Sequence, residues 1–319
     1  ADARAVQWTR SRDSLGGVLR KVLTQQQAGV AGQHQPSTVQ HLLLVGSEHG
    51  HAARWLDAHP PLTERIHRLY GRSMGPMPLR AASQDRPAED TTEVVRLLGW
   101  VLQRAGFHTG LACSEGLFLN MQRIDAFSPS DWEAGQRILM SRSVDTAVLE
   151  NSPRSILDEG LSYDRCQVGV VTNVPLPQGL EDHHVVTADH MRTVLRTQVD
   201  VVLPQGCAVL NADDALCAGL AELCDGDVVF YSRQAEHPAL TAHCEQGRRF
   251  VTVTGDRVVL HRNRNQSTLL DLSHPVVQGL LAQRIGLPGL LAVTSAALAL
   301  DIPLPLVRAG LETADRLYL

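Results

Sequence analysis

The sequence predicts an α/β fold: a mostly parallel sheet with helices on both faces, and a small β-hairpin region towards the end. Three observations predict it. From Pro78 onwards, candidate strands alternate with candidate helices, the order of a parallel sheet built by crossovers. The strand runs are short, unbroken and rich in β-branched residues, as in QVGVVTNV (167–174), which suits strands buried on both faces. After Ser232 the alternation stops, and RRFVTVTGDRVVLHR reads as two strands joined around Thr254, Gly255 and Asp256.

The elements follow in order. PLRAAS (78–83) is a strand candidate. TTEVVRLLGWVLQRAG places Val94, Val95, Leu97, Leu98, Val101 and Leu102 at helical spacing, with Gly106 as the stop. HTGLACS reads as a strand, WEAGQRILMS as a helix, and DTAVLEN as a strand ending in Glu150. After QVGVVTNV come the helix TADHMRTVLRTQV, the strand GCAVLNADD, the helix ALCAGLAELC and the strand DVVFYS. GLPGLLAVTSAALALDIPLPLVRAGLETA reads as two helices broken around Pro303. These elements define a domain over 78–319. The sequence assigns no fold to the N-terminal region, 1–77. Within it, HLLLV (41–45) precedes GSEHG, whose spacing is not GxGxxG and reads as an ordinary strand-to-helix turn.

Bulk properties exclude several classes. At 319 residues and 44% hydrophobic, the chain can bury a sizeable core. A net charge of -5 and a pI near 6.3 argue against a general nucleic-acid or membrane-surface binder. No apolar run reaches the ~18 residues needed to span a bilayer, and the first residues lack an apolar signal core. A cytoplasmic location is expected, with no nucleic-acid or membrane partner. The six cysteines form no CxxC pair and read as buried thiols. Lys21 is the single lysine, so chemistry that needs a lysine elsewhere in the chain is excluded.

Residues 145–174, DTAVLENSPRSILDEGLSYDRCQVGVVTNV, carry a resemblance to the Mur ligase family, in particular to the Mur-ligase-like domain of cyanophycin synthetase. AVLE, IL, EGL, YDRC and VGVVTN stand in the family's register. VLNADDALCAGLAELCDGDVVFYS, the hairpin region after it, and SAALALDIPLPLVRAGLET extend the resemblance over roughly 78–315. It implies a P-loop-type central domain. Such domains use ATP and magnesium to phosphorylate a carboxylate, and an amine then attacks the acyl phosphate.

The resemblance also places the family's functional positions, and several have changed. Anchored on Arg96, Leu97 and Leu98, the family's phosphate loop GTNGKT falls on Pro87, Ala88, Glu89, Asp90, Thr91 and Thr92. Glycines there let N–H groups point at phosphate, and a lysine neutralises it. Here Pro87 removes a donor, and Thr91 stands at the lysine position. Asp85, Glu89, Asp90 and Glu93 crowd the same helix start, where Asp90 or Thr91 is expected as N-cap. Each like-charge contact with a phosphate would cost ~4 kcal/mol at ~4 Å and an effective dielectric constant of ~20. Glu150 keeps the family's metal-binding carboxylate, but the following TARGG becomes Asn151, Ser152, Pro153, Arg154 and Ser155. Asn211, Asp213 and Asp214 keep the NADD motif near the nucleoside, with Asp213 or Asp214 also available as a helix cap. The acid–histidine pair after VTN is replaced by Pro175 and Leu176, and the HN stretch is absent from 280–292. The chain stops where the family's C-terminal domain begins. Glu181, Asp182, His183, His184 and His190 read as a solvated turn before a helix, with a metal site as the sharper alternative.

The favoured reading is a degenerate Mur-ligase-like protein, a pseudoenzyme with no expected catalytic residue and no expected cofactor. It would act as a structural or interaction module linked to cyanophycin metabolism, as a homo-oligomer or as a partner of an active cyanophycin synthetase. On this reading the nucleotide positions Thr91, Thr92, Asn211, Asp213 and Asp214 and the metal position Glu150 are vestigial. The alternative is an active ATP-dependent carboxylate–amine ligase that uses the same residues with ATP and Mg²⁺.

Overall fold

A computed structural model describes residues 19, 20, 23, 62–71, 90–125, 131–262 and 265–318. The expected strand at 78–83, the 41–50 turn and the loop positions Pro87, Ala88 and Glu89 lie outside the described residues. The chain divides into two units, Ala1–Gln84 and Asp85–Leu319. In the first, helix α1 (Leu62–Tyr70) buries Ile66 in a small cluster with Leu19 and Leu23.

The second unit is α/β. It opens with helix α2 (Asp90–Arg104), then a hairpin layer of β1 (Thr109–Cys113), β2 (Gly116–Leu119) and β3 (Gln122–Asp125). Helix α3 (Asp131–Leu139) leads to β4 (Thr146–Leu149), and α4 (Pro153–Glu159) to β5 (Cys166–Val171). Next come α5 (Ala188–Asp200), β6 (Val202–Asn211), the short α6 (Ala215–Ala218) and β7 (Asp227–Ser232). After α7 (Pro238–Glu245) the strands β8 (Phe250–Thr254), β9 (Arg257–Arg262) and β10 (Asn265–Asp271) run in sequence. Helices α8 (Pro275–Gln283), α9 (Leu287–Ala299) and α10 (Leu304–Glu312) close the unit.

The strands form two sheets, ordered β3-β2-β1-β4 and β10-β9-β8-β7-β6-β5. The parallel pairings are β1–β4 and the run β5–β6–β7–β8; the outer strands are added as antiparallel hairpins. This matches the predicted hairpin over 250–262 and adds a third strand, β10.

Strand β6 shows why the run Cys207–Leu210 is continuously apolar. Cys207 and Val209 face one core with α2, α9 and α10, whereas Ala208 and Leu210 face a second core with α5 and α6. Alternate side chains thus meet helices on both sides of the sheet. The smaller sheet is covered the same way. Leu111 and Phe118 pack on Val95 of α2, and Ala112 and Leu117 pack on Ala134 and Ile138 of α3. Helix α2 therefore serves both sheets, because Val94, Leu97 and Leu98 belong to the large core. The Trp100 indole N–H ties α2 to the Gly310 carbonyl of α10 at 2.9 Å.

The stretch predicted as one helix over 215–224 is broken. It is α-helical for Ala215–Ala218 and turns 3-10 over Gly219–Leu223. The Gly219 carbonyl leaves the α-helical ladder to accept a hydrogen bond from Arg192 Nη2 at 3.0 Å. No single described helix is long and apolar enough to cross a membrane. Three of the six cysteines, Cys113, Cys207 and Cys217, are buried, and burial pushes each thiol up to about 12.

One buried imidazole sets a pH dependence. His243 of α7 shares its Nε2–H between the carbonyls of Val228 (3.0 Å) and Arg249 (3.1 Å), with its ring edge-to-face on Phe230. Burial holds its pKa below the ordinary histidine value, and burial does the same to His261. The unfolded chain thus takes up these protons first as pH falls. Stability is full above about pH 6.5, the unfolded histidine value, and is lost as pH drops towards the folded values. The thermal midpoint is expected to fall between pH 7 and pH 5. The slope should flatten in His243→Gln, and an unchanged slope would remove His243 as its source.

Candidate functional site

The candidate site lies at the carboxyl ends of β1 and β4, where the first turn of α2 meets them. Glu150 follows β4 directly, and its N–H continues the ladder to Ala112 O at 2.8 Å. This fixes the carboxylate under α2. Thr91 Oγ1 donates to Glu150 Oε1 at 2.6 Å, and Thr92 Oγ1 lies 3.0 Å from both carboxylate oxygens. The Ser114 N–H donates to Oε2 at 2.7 Å, and the Ser114 hydroxyl meets Thr92 Oγ1 at 2.6 Å. Glu150 is 7% exposed. Burial raises its pKa above the usual carboxylate range, against the opposing hydrogen bonds from Thr91, Ser114 and Thr92.

The structure therefore joins three predicted residues, Thr91, Thr92 and Glu150, in one closed knot. It corrects the expected capping role of Thr91, which stands inside the first turn of α2 with its hydroxyl on Glu150. It also adds Ser114. No short-range pattern could have found it, since its partner is 36 positions away.

Beside the knot, residues 151–155 form a helix start. Ser152 caps α4 by accepting from the Ser155 N–H, with Pro153 at the first position. Asp131 of α3 holds Ser152 through its N–H at 2.8 Å and its hydroxyl at 2.6 Å. Arg154 turns away, to Asp182 at 3.0 Å.

The second predicted group sits at the end of β6, and the fold engages every member. Asn211 donates from Nδ2 to Thr172 O at 2.9 Å and accepts from the Asp213 N–H at 3.0 Å. Asp214 caps α6 by accepting from the N–H groups of Leu216 (3.0 Å) and Cys217 (3.2 Å), and it also accepts from the Val174 N–H at 2.7 Å. Asp213 does not cap. It accepts from the Ser232 hydroxyl at 2.5 Å and from Arg233 Nε at 2.9 Å. Burial alone would raise the Asp213 carboxyl, but those hydrogen bonds outweigh it and hold the pKa below the ordinary value. A cavity adjoins the first group. Thr91, Glu150, Thr172 and Asn173 line it; Asn211, Asp213 and Asp214 do not.

The histidine cluster does not converge. His183 Nε2 pairs with Asp158 at 2.8 Å, and His190 Nδ1 accepts from the Val186 N–H at 3.5 Å. Among the described residues no group of three or more His, Cys, Asp or Glu could hold a metal ion. Sequence reasoning also missed Tyr318, whose O–H donates to Glu93 of α2 at 2.6 Å while Arg96 and Arg284 flank its ring.

Glu150 and Thr92 are oxygen donors of the kind that hydrated Mg²⁺ takes. Their lone pairs and protons are spent on each other here, so they fit a cation only with the knot opened. The carboxylates of Glu93 and Glu115 sit in the first turn of α2 and in the adjoining β1–β2 turn, where their charge would repel a phosphate.

The fold is α/β, with a larger sheet that is mostly parallel at its centre, and part of the chain is similar in sequence to known relatives. Those relatives are cyanophycin synthetases. The Synechocystis sp. protein (strain PCC 6803) is 33% identical over 153 residues, which is 48% of this chain and 17% of that protein. The Crocosphaera subtropica protein is 31% identical over 153 residues, again 48% of this chain and 17% of that one. The matched stretch thus spans less than a fifth of either relative. No family model matches the chain. Among solved structures, Escherichia coli FolC in complex with DHPP and ADP aligns with a TM-score of 0.47 at 15% identity, covering 70% of this chain and 55% of that one. UDP-N-acetylmuramoyl-L-alanyl-D-glutamate–2,6-diaminopimelate ligase aligns with a TM-score of 0.48 at 13% identity, covering 70% and 44%.

Proposed function

We propose that this chain is a Mur-ligase-like domain that no longer carries out ATP-dependent ligation. It serves as a structural or interaction module in cyanophycin metabolism, as a homo-oligomer or beside an active cyanophycin synthetase. The observation that carries this reading is the knot around Glu150. At the position that the resemblance gives to a phosphate-loop lysine, Thr91 instead donates a 2.6 Å hydrogen bond to the carboxylate that would hold magnesium. Fixed internal bonds of this kind stabilise the junction of α2, β1 and β4. They also take up the groups that a nucleotide and its cation would need free. The NADD residues support the same view, because caps and turns engage all three polar members.

Calorimetric titration with Mg·ATP tests the reading. No heat of binding is expected up to millimolar nucleotide. Binding in the micromolar range would overturn it and favour the ATP-dependent carboxylate–amine ligase.

A further inference from the structure

The loop between β5 and α5 is fastened along its length. The Val174 N–H donates to Asp214 at 2.7 Å, and Val174, Leu180 and Val185 are buried in the core beneath α5. Arg154 of α4 donates to the Gly179 carbonyl and to Asp182, and His183 pairs with Asp158 of the same helix at 2.8 Å. Pro175 and Pro177 fix the backbone dihedral on either side of Leu176. This fixed loop nevertheless holds two apolar side chains in water, Leu176 at 75% exposure and Val186 at 60%. Beside them stand the exposed carboxylates of Glu181 and Asp189, which pair with no cation among the described residues.

A second exposed apolar pair lies beyond the other end of β5. Leu139 ends α3 and Met140 follows it, at 45% and 79% exposure. Arg165, the residue before β5, lines the same cavity as Leu139, and Arg142 lies two residues beyond Met140. Both arginines are exposed and pair with no carboxylate among the described residues. Asp145 and Asp200 at that end are taken by His108 and Arg196, at 3.0 and 2.8 Å. Asp164, beside Arg165, offsets one of the two free arginines.

We propose that a second copy of this chain docks head to tail. Leu176 and Val186 of one copy pack on Leu139 and Met140 of the next, and Glu181 and Asp189 face Arg142 and Arg165. Charge selects this occupant: an apolar pair with free acids meets an apolar pair with free arginines on the same chain, which favours their encounter and fixes its direction. Two copies of the acidic loop, or two of the arginine-flanked patch, would repel. The patches lie beyond opposite ends of β5, a strand of six residues or ~20 Å. Each contact therefore leaves one patch of either kind unused, and copies add in a row. Two apolar side chains on each partner bury less than the ~800 Å² of a stable complex, so the association is weak and concentration-dependent. The proposal rests on the homo-oligomeric form of the module proposed above and names its contact.

Sedimentation equilibrium of the full-length chain, without nucleotide, tests this. The average mass is expected to rise from that of one copy at micromolar protein to beyond that of two copies near millimolar. Leu176→Asp and Met140→Asp should each abolish the rise. An equimolar mixture of the two variants should regain association but stop at two copies, because each variant keeps the patch that the other lacks. Four outcomes would overturn the proposal: a wild-type chain that stays monomeric, a wild-type chain that stops at two copies, a single variant that still grows, or a mixture that stays monomeric. Both side chains are exposed, and an unchanged circular dichroism spectrum confirms that each variant folds. A monomeric result removes the self-assembly alone, since the loss of ligation is decided separately by the Mg·ATP titration.

Discussion

Glu150→Ala is expected to destabilise the protein by about 3 kcal/mol in urea unfolding at pH 7. Glu150 is buried and accepts from Thr91, Thr92 and the Ser114 N–H. Truncation leaves those donors facing a cavity. Thr92 keeps the Ser114 hydroxyl as a partner, but the Ser114 N–H loses its acceptor and the Thr91 hydroxyl loses its bond to the carboxylate, at ~1–3 kcal/mol each. Glu150→Gln keeps the volume and one acceptor oxygen, and the hydroxyls can turn to accept from its amide, so about 1 kcal/mol is expected. A pH series adds a second readout. The folded carboxyl has a raised pKa, caused chiefly by burial. The folded state therefore holds a proton that the unfolded state has released. Glu150's contribution is greatest below the unfolded carboxylate value near 4.5 and declines as pH rises through the folded value. That slope is absent from Glu150→Gln. A rise in stability on removing the carboxylate would show a group held in place at a cost to the fold, as a functional metal ligand is, and would sink the structural reading.

Gly169→Ala is expected to cost about 3 kcal/mol by overpacking. Gly169 lies in β5, beneath the last turn of α5. A Cβ there would come within 2.5 Å of the Gln198 carbonyl oxygen and 2.9 Å of Val202 Cγ2. The first of these is backbone and cannot rotate aside. Helix α5 would have to lift from the sheet and draw the start of β6 with it. Gly279 of α8 supplies the control, since a Cβ there meets nothing within 4 Å. Gly279→Ala should gain up to ~1 kcal/mol from helix propensity. Equal urea midpoints for the two variants would refute the close approach of α5 to β5.

Much of the fold was legible because its strands are buried on both faces. Runs such as VGVV and CAVL have no polar interruption to hide their period, and the break at Pro303 marks the start of α10 directly. The hairpin of β2 and β3 was not legible. Its turn places Asn120 and Met121 at φ 46° and 66°, a left-handed pair written without glycine. Strand β10 was missed because NQSTLL is polar and largely exposed, and so lacks the apolar alternation of a half-buried strand. At the candidate site, the resemblance pointed to Glu150, Asn211, Asp213 and Asp214. Their partners were out of reach, because Ser114, Thr172 and Ser232 meet them only through the sheet. The sequence could name the acids but not what they bond.

Helix α2 packs against both sheets, with Val95 on the smaller and Val94, Leu97 and Leu98 on the larger. Two sheets that share one helix cannot melt independently, because losing either half strips apolar contacts from the helix that holds the other. The energetic consequence is cooperativity. The Asp85–Leu319 unit should unfold in one transition, with α2 among its last amides to exchange with solvent. A scaffold coupled in this way can absorb drift in its loops while retaining its shape, since no loop stands between the two halves and the helix that joins them.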